Sequence, residues 1–161
     1  LLYDSTRISI LHSRALSLSL EGDYTRDILY VSALYEQRDT VHVMMCHLPS
    51  QLGGAANTDW KRQHAKSLLQ SQIDSILLLH PSANIVVMGD MNTSPQDDLM
   101  GMTNLMLPIQ KEGQGTHKYQ SIWTCLDQFY VSAALISQST ATIFSPPWLL
   151  EECVLSCTLY G

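Results

Sequence analysis

Apolar and polar positions alternate loosely from Arg7 to Leu20, with Ile8, Ile10, Leu16, Leu18 and Leu20 at period-two spacings. That period belongs to a strand with one buried face, so one or two half-buried strands are predicted there, broken at Gly22-Asp23. Ile28 to Tyr35 and Val41 to Cys46 are rich in β-branched and aromatic residues, and the short polar turn Glu36-Gln37-Arg38-Asp39 between them predicts an antiparallel hairpin. Pro49 and Gly53-Gly54 open a loop. After it the apolar period changes: Ala65, Leu69, Ile73, Ile76 and Leu77 recur every three or four residues, which predicts a helix capped by Asn57 or Thr58 and ended by Pro81. A strand follows from Asn84 to Met88, then a long polar and Met-rich loop, then a strand from Ser121 to Ser132 interrupted only by Asp127. Pro146-Pro147 begins a tail. Strands alternating with a helix predict an α/β fold.

Composition changes this picture at its borders. A chain of 161 residues that is 45% hydrophobic can bury one domain-sized core, and nothing resembling a linker or repeat divides it. No apolar run reaches membrane-spanning length, so no membrane span is expected. The opening Leu1-Leu2-Tyr3-Asp4 has neither a basic segment nor a signal core, which leaves targeting, including export of a longer parent protein, unreadable. The net charge is −6 and Lys plus Arg number only 9, which argues against a broad basic surface for tracking a nucleic-acid backbone. A phosphorylated substrate would therefore need a bound cation to balance its charge. The basic pair Lys61-Arg62 reads as a solvated helix face. Cys46 and Cys125 lie in apolar runs and read as buried thiols, whereas Cys153 and Cys157, four apart, leave pairing and the redox compartment undecided.

Candidate chemistry concentrates at strand ends. In Asn84-Ile-Val-Val-Met-Gly-Asp-Met-Asn92 a short apolar strand stops at Gly89-Asp90 and offers Asn92 two positions later. A glycine there permits a sharp turn at the sheet edge, where sites of layered α/β proteins gather. An ionised Asp90 can hold a hard divalent cation or orient a water, and the Asn92 amide can donate to a phosphate oxygen. The plainer reading of the pair is an Asx turn capping the strand. His47 ends another strand in Cys46-His47-Leu48-Pro49-Ser50, where the plainer reading is a loop-capping imidazole. Asp127 stands among Trp123, Leu126, Phe129 and Val131, and a carboxylate buried there would need a partner; its plain alternative is an acid on the open side of an alternating strand. A zinc site from His42, Cys46 and His47 is disfavoured because residues 42 and 46 face opposite to 47 on a strand.

The succession Tyr24-Thr25-Arg26-Asp27-Ile28-Leu29, His47-Leu48-Pro49-Ser50 with Gly53-Gly54, Met88-Gly89-Asp90-Met91-Asn92 and Trp123-Thr124-Cys125-Leu126-Asp127-Gln128 resembles the endonuclease/exonuclease/phosphatase superfamily, the pancreatic-deoxyribonuclease-like proteins, and within it a bacterial branch of nucleases or phosphatases. The resemblance runs from about Leu2 to the end of the chain. It implies a four-layered α/β sandwich, two mixed and mostly antiparallel sheets flanked by helices, that hydrolyses phosphate esters with Mg²⁺ or Mn²⁺. By the same resemblance Asp90 positions or deprotonates the attacking water and touches metal, Asn92 holds a phosphate oxygen, and His47 contacts phosphate or acts as an acid. Asp127 matches an acid that orients a second, catalytic histidine, and Arg26 matches a less constant position near the phosphate.

The departures from the pattern matter as much. The metal-binding Asn and Glu of earlier strands and a closing Ser-Asp-His motif have no counterpart in these 161 residues, and His117, which precedes Asp127 without an adjoining acid, does not replace the latter. The expectation is a single but incomplete domain over 1–161, a partial sandwich lacking N-terminal strands and the Ser-Asp-His segment. Two functional readings follow. The parent protein is a metal-dependent phosphoric ester hydrolase acting on nucleic acid, a phospholipid head group or a small phosphate ester, or the chain is a non-catalytic fragment or binding module. No protein partner is predicted.

Overall fold

The computed structural model describes residues 2–20, 22, 25–95, 99, 101–146 and 148. The predicted tail, Tyr24, Cys153 and Cys157 fall outside the described residues, apart from Pro146 and Trp148 in the tail.

The hairpin forms as the pattern predicts. β2 (Ile28–Tyr35) and β3 (Asp39–His47) pair antiparallel, and the tight turn between them places Glu36 and Gln37 at φ 47° and 58°. The alternating segment before them makes one strand, β1 (Ile8–Leu16), which pairs antiparallel with β2 and shifts register between Ile10 and His12. That shift puts Leu11 out into solvent and explains why the alternation looked loose. Leu18 and Leu20 lie beyond the strand yet are buried.

Helix α1 (Ala55–Leu79) carries the chain from β3 to β4 (Asn84–Asp90), which runs parallel to β3. It starts earlier than the sequence indicated. Gly54 is the residue before its first turn, at φ 104°, and neither Asn57 nor Thr58 caps it. Both side chains turn back instead, Asn57 donating to the Gly53 carbonyl and Thr58 to the Gly54 carbonyl, so the loop glycines supply the conformation the helix entry requires. The apolar stripe Ala65, Leu69, Ile73 and Ile76 is buried as expected, and Leu77 packs partly against the same core. Each fully buried Leu or Ile contributes roughly 1.5–3 kcal/mol by leaving water.

The region read as a loop holds β5 (Met102–Asn104) and a short α2 (Leu107–Lys111). The predicted strand from Ser121 to Ser132 is two strands in different sheets. β7 (Ile122–Thr124) forms a ribbon with β6 (His117–Tyr119), while β8 (Asp127–Ser132) enters the main sheet, followed by a 3-10 helix (Ala133–Gln138). The break has a cause: the Thr116 hydroxyl accepts the backbone N–H groups of both Leu126 and Asp127, satisfying donors that a continuous ladder would have used. Asp127 is thus the first residue of β8, exposed, and not an acid enclosed in an apolar strand.

The main sheet has six strands in the order β1-β2-β3-β4-β8-β5, with β3-β4 parallel and all other pairs antiparallel. One face packs on α1 through Tyr30, Met44, Cys46, Ile85, Val87 and Tyr130. The opposite face carries Ile10, Val31, Ala33, Val41, Val43 and Met88 around an almost wholly apolar trough of about 270 Å³. The described residues thus make one six-stranded mixed sheet, a separate two-stranded ribbon and one helix layer of an α/β sandwich. No described helix is long and apolar enough to cross a membrane.

Candidate active site

Because β3 and β4 are parallel and β8 runs against them, the ends of the first two and the start of the third meet at one rim of the sheet. Register makes this specific: His47 lies beside Asp90, and Asp90 lies beside Asp127. Their neighbours Cys46, Gly89 and Gln128 belong to the helix side, so the period of two turns His47, Asp90 and Asp127 to the opposite, open face. Three candidate groups from three strands therefore form one row.

Gly89 makes the row possible in a way the sequence did not show. It is not a turn residue but lies inside β4, at φ 134°, and a Cβ there would overlap the Cys46 backbone carbonyl. Only glycine allows β3 and β4 to approach this closely beneath the row. Cys46 itself is buried, its thiol near the Met88 carbonyl and the Met91 sulfur, each 3.6 Å away. Burial, with the negative charge of Asp90 adding to it, pushes this thiol up to about 12. The thiol stays protonated, as the sequence reading as a buried hydrophobe implied. The thiol of Cys125, also free and buried, is raised too, mainly by burial.

Asp90 is partly exposed and His47 half exposed, with Nε2 of the imidazole 3.7 Å from Oδ2 of the carboxylate. The other carboxylate oxygen, Oδ1, accepts the Asn92 backbone N–H at 2.8 Å. This is the Asx turn anticipated as the plain reading, and Asn92 stands at φ 49° within it. The Asn92 side chain donates to the Leu48 carbonyl at 2.8 Å, and the Leu48 N–H donates to the Asp90 carbonyl. The loops after His47 and after Asp90 are thereby tied to each other. An amide nitrogen has two hydrogens, so one remains beyond the bond to Leu48.

Two buried residues hold these loops. Arg62, read as part of a solvated pair, is only 2% exposed. Its guanidinium donates to the carbonyls of Pro49, Ser50 and Ala55 and to the Thr58 hydroxyl, fixing the segment after His47 to α1. The signal was present, since Thr58, Arg62, Ala65 and Leu69 fall on one helical stripe; charge alone suggested solvent. Its Nε is the one buried side-chain nitrogen or oxygen without a partner among the described residues. Gln128 is fully buried and donates to the Thr93 and Cys125 carbonyls while accepting from Asn104 and Tyr130, which anchors the far side of the Asp90 loop.

Arg26 stands apart from the row. It is exposed before β2 and lines a separate concavity with Pro49, Ser50 and Lys61, and among the described residues it makes no hydrogen bond or ion pair. His42 is on the helix side, bonded through Nδ1 to the Tyr30 hydroxyl at 2.8 Å, which removes it from any common ligand set with His47. No group of three or more His, Cys, Asp or Glu among the described residues can hold a metal ion. His117 and Asp127 together line a different concavity from that of Arg26.

A mixed sheet whose strand ends bring an imidazole, two carboxylates and an amide to one rim belongs to the layered α/β proteins that keep their sites where strands leave the sheet. The chain is a member of the Endonuclease/Exonuclease/phosphatase family, whose model matches residues 1–151. Among solved structures it is similar to TDP2 from C. elegans, at 12% identity and TM-score 0.62 over 80% of this chain and 42% of that one. It is similar to the human Nocturnin catalytic domain with bound sulfate, at 15% identity and TM-score 0.60 over 80% and 49%. D. rerio TDP2 complexed with a single strand DNA product gives 15% identity and TM-score 0.53 over 80% and 55%. At these identities the likeness is one of fold. The chain spans about half the length of these structures. No curated protein sequence matches it.

Proposed function

We propose that His47, Asp90, Asn92 and Asp127 are the water-positioning and phosphate-holding part of a divalent-metal-dependent phosphoric ester hydrolase. The observation that carries this is the row His47, Asp90, Asp127, in register across three neighbouring strands at one rim. Family membership and the phosphodiester-related neighbours support it.

The donor set fits a particular kind of metal. With Oδ1 of Asp90 engaged by the Asn92 N–H, one carboxylate oxygen is left beside His47, and no third ligand among the described residues joins it. Tetrahedral zinc requires three or four protein ligands; Mg²⁺ and Mn²⁺ accept one or two carboxylates and complete their shell with water and substrate oxygens. Asp90 would hold such an ion, which when bound supplies positive charge to the phosphate and so offsets the acidity of the chain. The residues themselves do the rest. Asp90 orients the attacking water and takes its proton as the water oxygen bonds to phosphorus. The Asn92 amide hydrogen not given to Leu48 meets a phosphate oxygen, and His47 donates to the ester oxygen whose bond to phosphorus breaks. Asp127 shapes the rim beside Asp90. Arg26, on the flanking concavity, is assigned to an outlying part of the phosphate-bearing substrate.

A second reading has its own observation: with no three-ligand group among the described residues and half the length of its structural neighbours, the chain fits a fragment or binding module as well. Hydrolysis of bis(4-nitrophenyl) phosphate separates the two. Turnover that requires Mg²⁺ or Mn²⁺ and disappears in Asp90→Ala establishes the hydrolase; no turnover with either ion assigns the chain to the non-catalytic reading.

A further inference from the structure

We propose that His42 and His80, joined by the side-chain carbonyl of Asn84, form a second divalent-cation site at the end of the sheet away from the rim, suited to imidazole-preferring ions such as Cu²⁺ and Ni²⁺. It stands apart from the phosphate-ester reading, which concerns a carboxylate and a hard ion.

The three side chains come from three elements. His42 lies within β3, well back from His47 at its rim end; His80 is the residue that closes α1, and Asn84 opens β4. All three line one open concavity of about 490 Å³, together with Thr40 and Ser82. Among the described residues no carboxylate, lysine or arginine lines it. The backbone of His80 is fixed on both sides, its N–H donating to the Ile76 carbonyl at 2.8 Å and its carbonyl accepting the Ala83 N–H at 2.9 Å. The base of this imidazole is therefore held in place.

Each group is set up to donate an electron pair. Nδ1 of His42 lies 2.8 Å from the Tyr30 hydroxyl, and a hydroxyl accepts as well as donates. When it takes the Nδ1 hydrogen, the ring is left with its Nε2 lone pair for a ligand. The Tyr30 and His42 rings are stacked, 6.0 Å between centres and 11° between planes, which fixes the orientation of the imidazole. Burial, and then the charge of His80, holds His42 below its ordinary value, so the ring is neutral at pH 7 and in its ligating form. That His42 feels the charge of His80 also shows that the rings are neighbours. Two protonated imidazoles repel, whereas one cation shared between their lone pairs is attracted to both. Asn84 donates from Nδ2 to the Thr40 carbonyl at 3.2 Å, which leaves Oδ1 as an acceptor. The 25-residue α1 ends here with no basic residue in its last turn, so the negative end of its dipole favours a cation at His80.

The donor set selects the ion. Zinc sites that use two histidines add a carboxylate or thiolates, and among the described residues no third His, Cys, Asp or Glu joins this pair. Mg²⁺ takes oxygen ligands and gains little from imidazole. Cu²⁺ and Ni²⁺ accept mixed nitrogen and oxygen ligands, with water completing the shell, and Cu²⁺ stands highest in the affinity order of divalent ions for a given site. Arg62 fastens the first turns of α1 to the loop after β3; a bound ion would fasten the last turn to β3 and β4.

The test is titration of the chain with substoichiometric Cu²⁺, followed by paramagnetic broadening of backbone amide signals and by calorimetry. Broadening should begin at Thr40, His42, His80 and Asn84 and persist in excess Mg²⁺. His80→Gln, at an exposed position that leaves the core intact, should weaken Cu²⁺ binding about ten-fold or more, and Asn84→Ala should weaken it in the same direction. His12→Gln should change nothing, because the Tyr30 ring stands between His12 and His42. Broadening of equal strength at His12, His64 and His117 is adventitious binding to surface imidazoles and overturns the site. Cu²⁺ binding of unaltered strength in His80→Gln, or displacement by Mg²⁺, overturns it as well. Asp90→Ala should leave the Cu²⁺ response at His80 as it is, so the failure of this site and the failure of the rim are seen separately.

Discussion

At the scale of single residues, the shape of the candidate site depends on two that carry no reactive chemistry. Gly89 occupies a conformation that L side chains avoid and leaves no space before the Cys46 carbonyl. Gly89→Ala should cost about 2–3 kcal/mol in urea denaturation, with β3 and β4 forced apart beneath the row. A loss below a few tenths of a kcal/mol would show that the approach is not tight. Arg62 acts by its shape: a flat fork reaches carbonyls on both sides of the loop, which a point ammonium does not. Arg62→Met should lose roughly 1–3 kcal/mol by leaving part-buried carbonyls and the buried Thr58 hydroxyl without this partner, and Arg62→Lys should recover only part of it. Equal stability of the lysine and arginine forms would contradict this. Asp90, Asn92 and His47 stand out in the sequence as candidates because each follows an apolar strand, and the plainer reading of the first two, an Asx turn, is also what forms. Arg62 does not stand out, because its charge outweighs its place on the helical stripe.

At the scale of elements, long periodic segments were legible and short ones were not. The hairpin, α1 and the core of β4 follow directly from periods of two and of three to four. The division between β7 and β8 escaped notice because a side-chain hydroxyl from Thr116, remote in pattern though near in space, takes the donors at the break. That division places Asp127 at the rim, so residue type marked the candidate residues and topology shows that they share one sheet edge. The hairpin also carries a pH effect. Burial first, and then the charge of His80, lowers His42 below its ordinary value of 6.5, while its Nδ1 is engaged with the Tyr30 hydroxyl. The unfolded chain therefore binds the proton more readily, so this contribution to stability is intact above pH 6.5 and is lost as the pH falls through that value toward the lowered one. Urea midpoints should fall between about pH 7 and pH 5, and His42→Gln should flatten part of that slope. An unchanged slope in the variant would assign the effect to other groups.

At the scale of the whole molecule, α1 covers one sheet face and, among the described residues, the other is open, apolar and continuous with the rim that holds His47, Asp90 and Asp127. The site thus lies where a well-packed layer meets an unpacked one. The α/β class and the rim were readable from the sequence; the extent of the open face was not, because an alternating strand looks the same whether its second face meets water or another sheet. We propose that the rim is a cation and phosphate site centred on Asp90. It is tested most directly by titrating the chain with Mn²⁺ and following paramagnetic broadening of backbone amide signals. Broadening should begin at His47, Asp90, Asn92 and Asp127 and vanish in Asp90→Ala. Broadening spread over unrelated surface acids, or unchanged when Asp90 is removed, would contradict the claim.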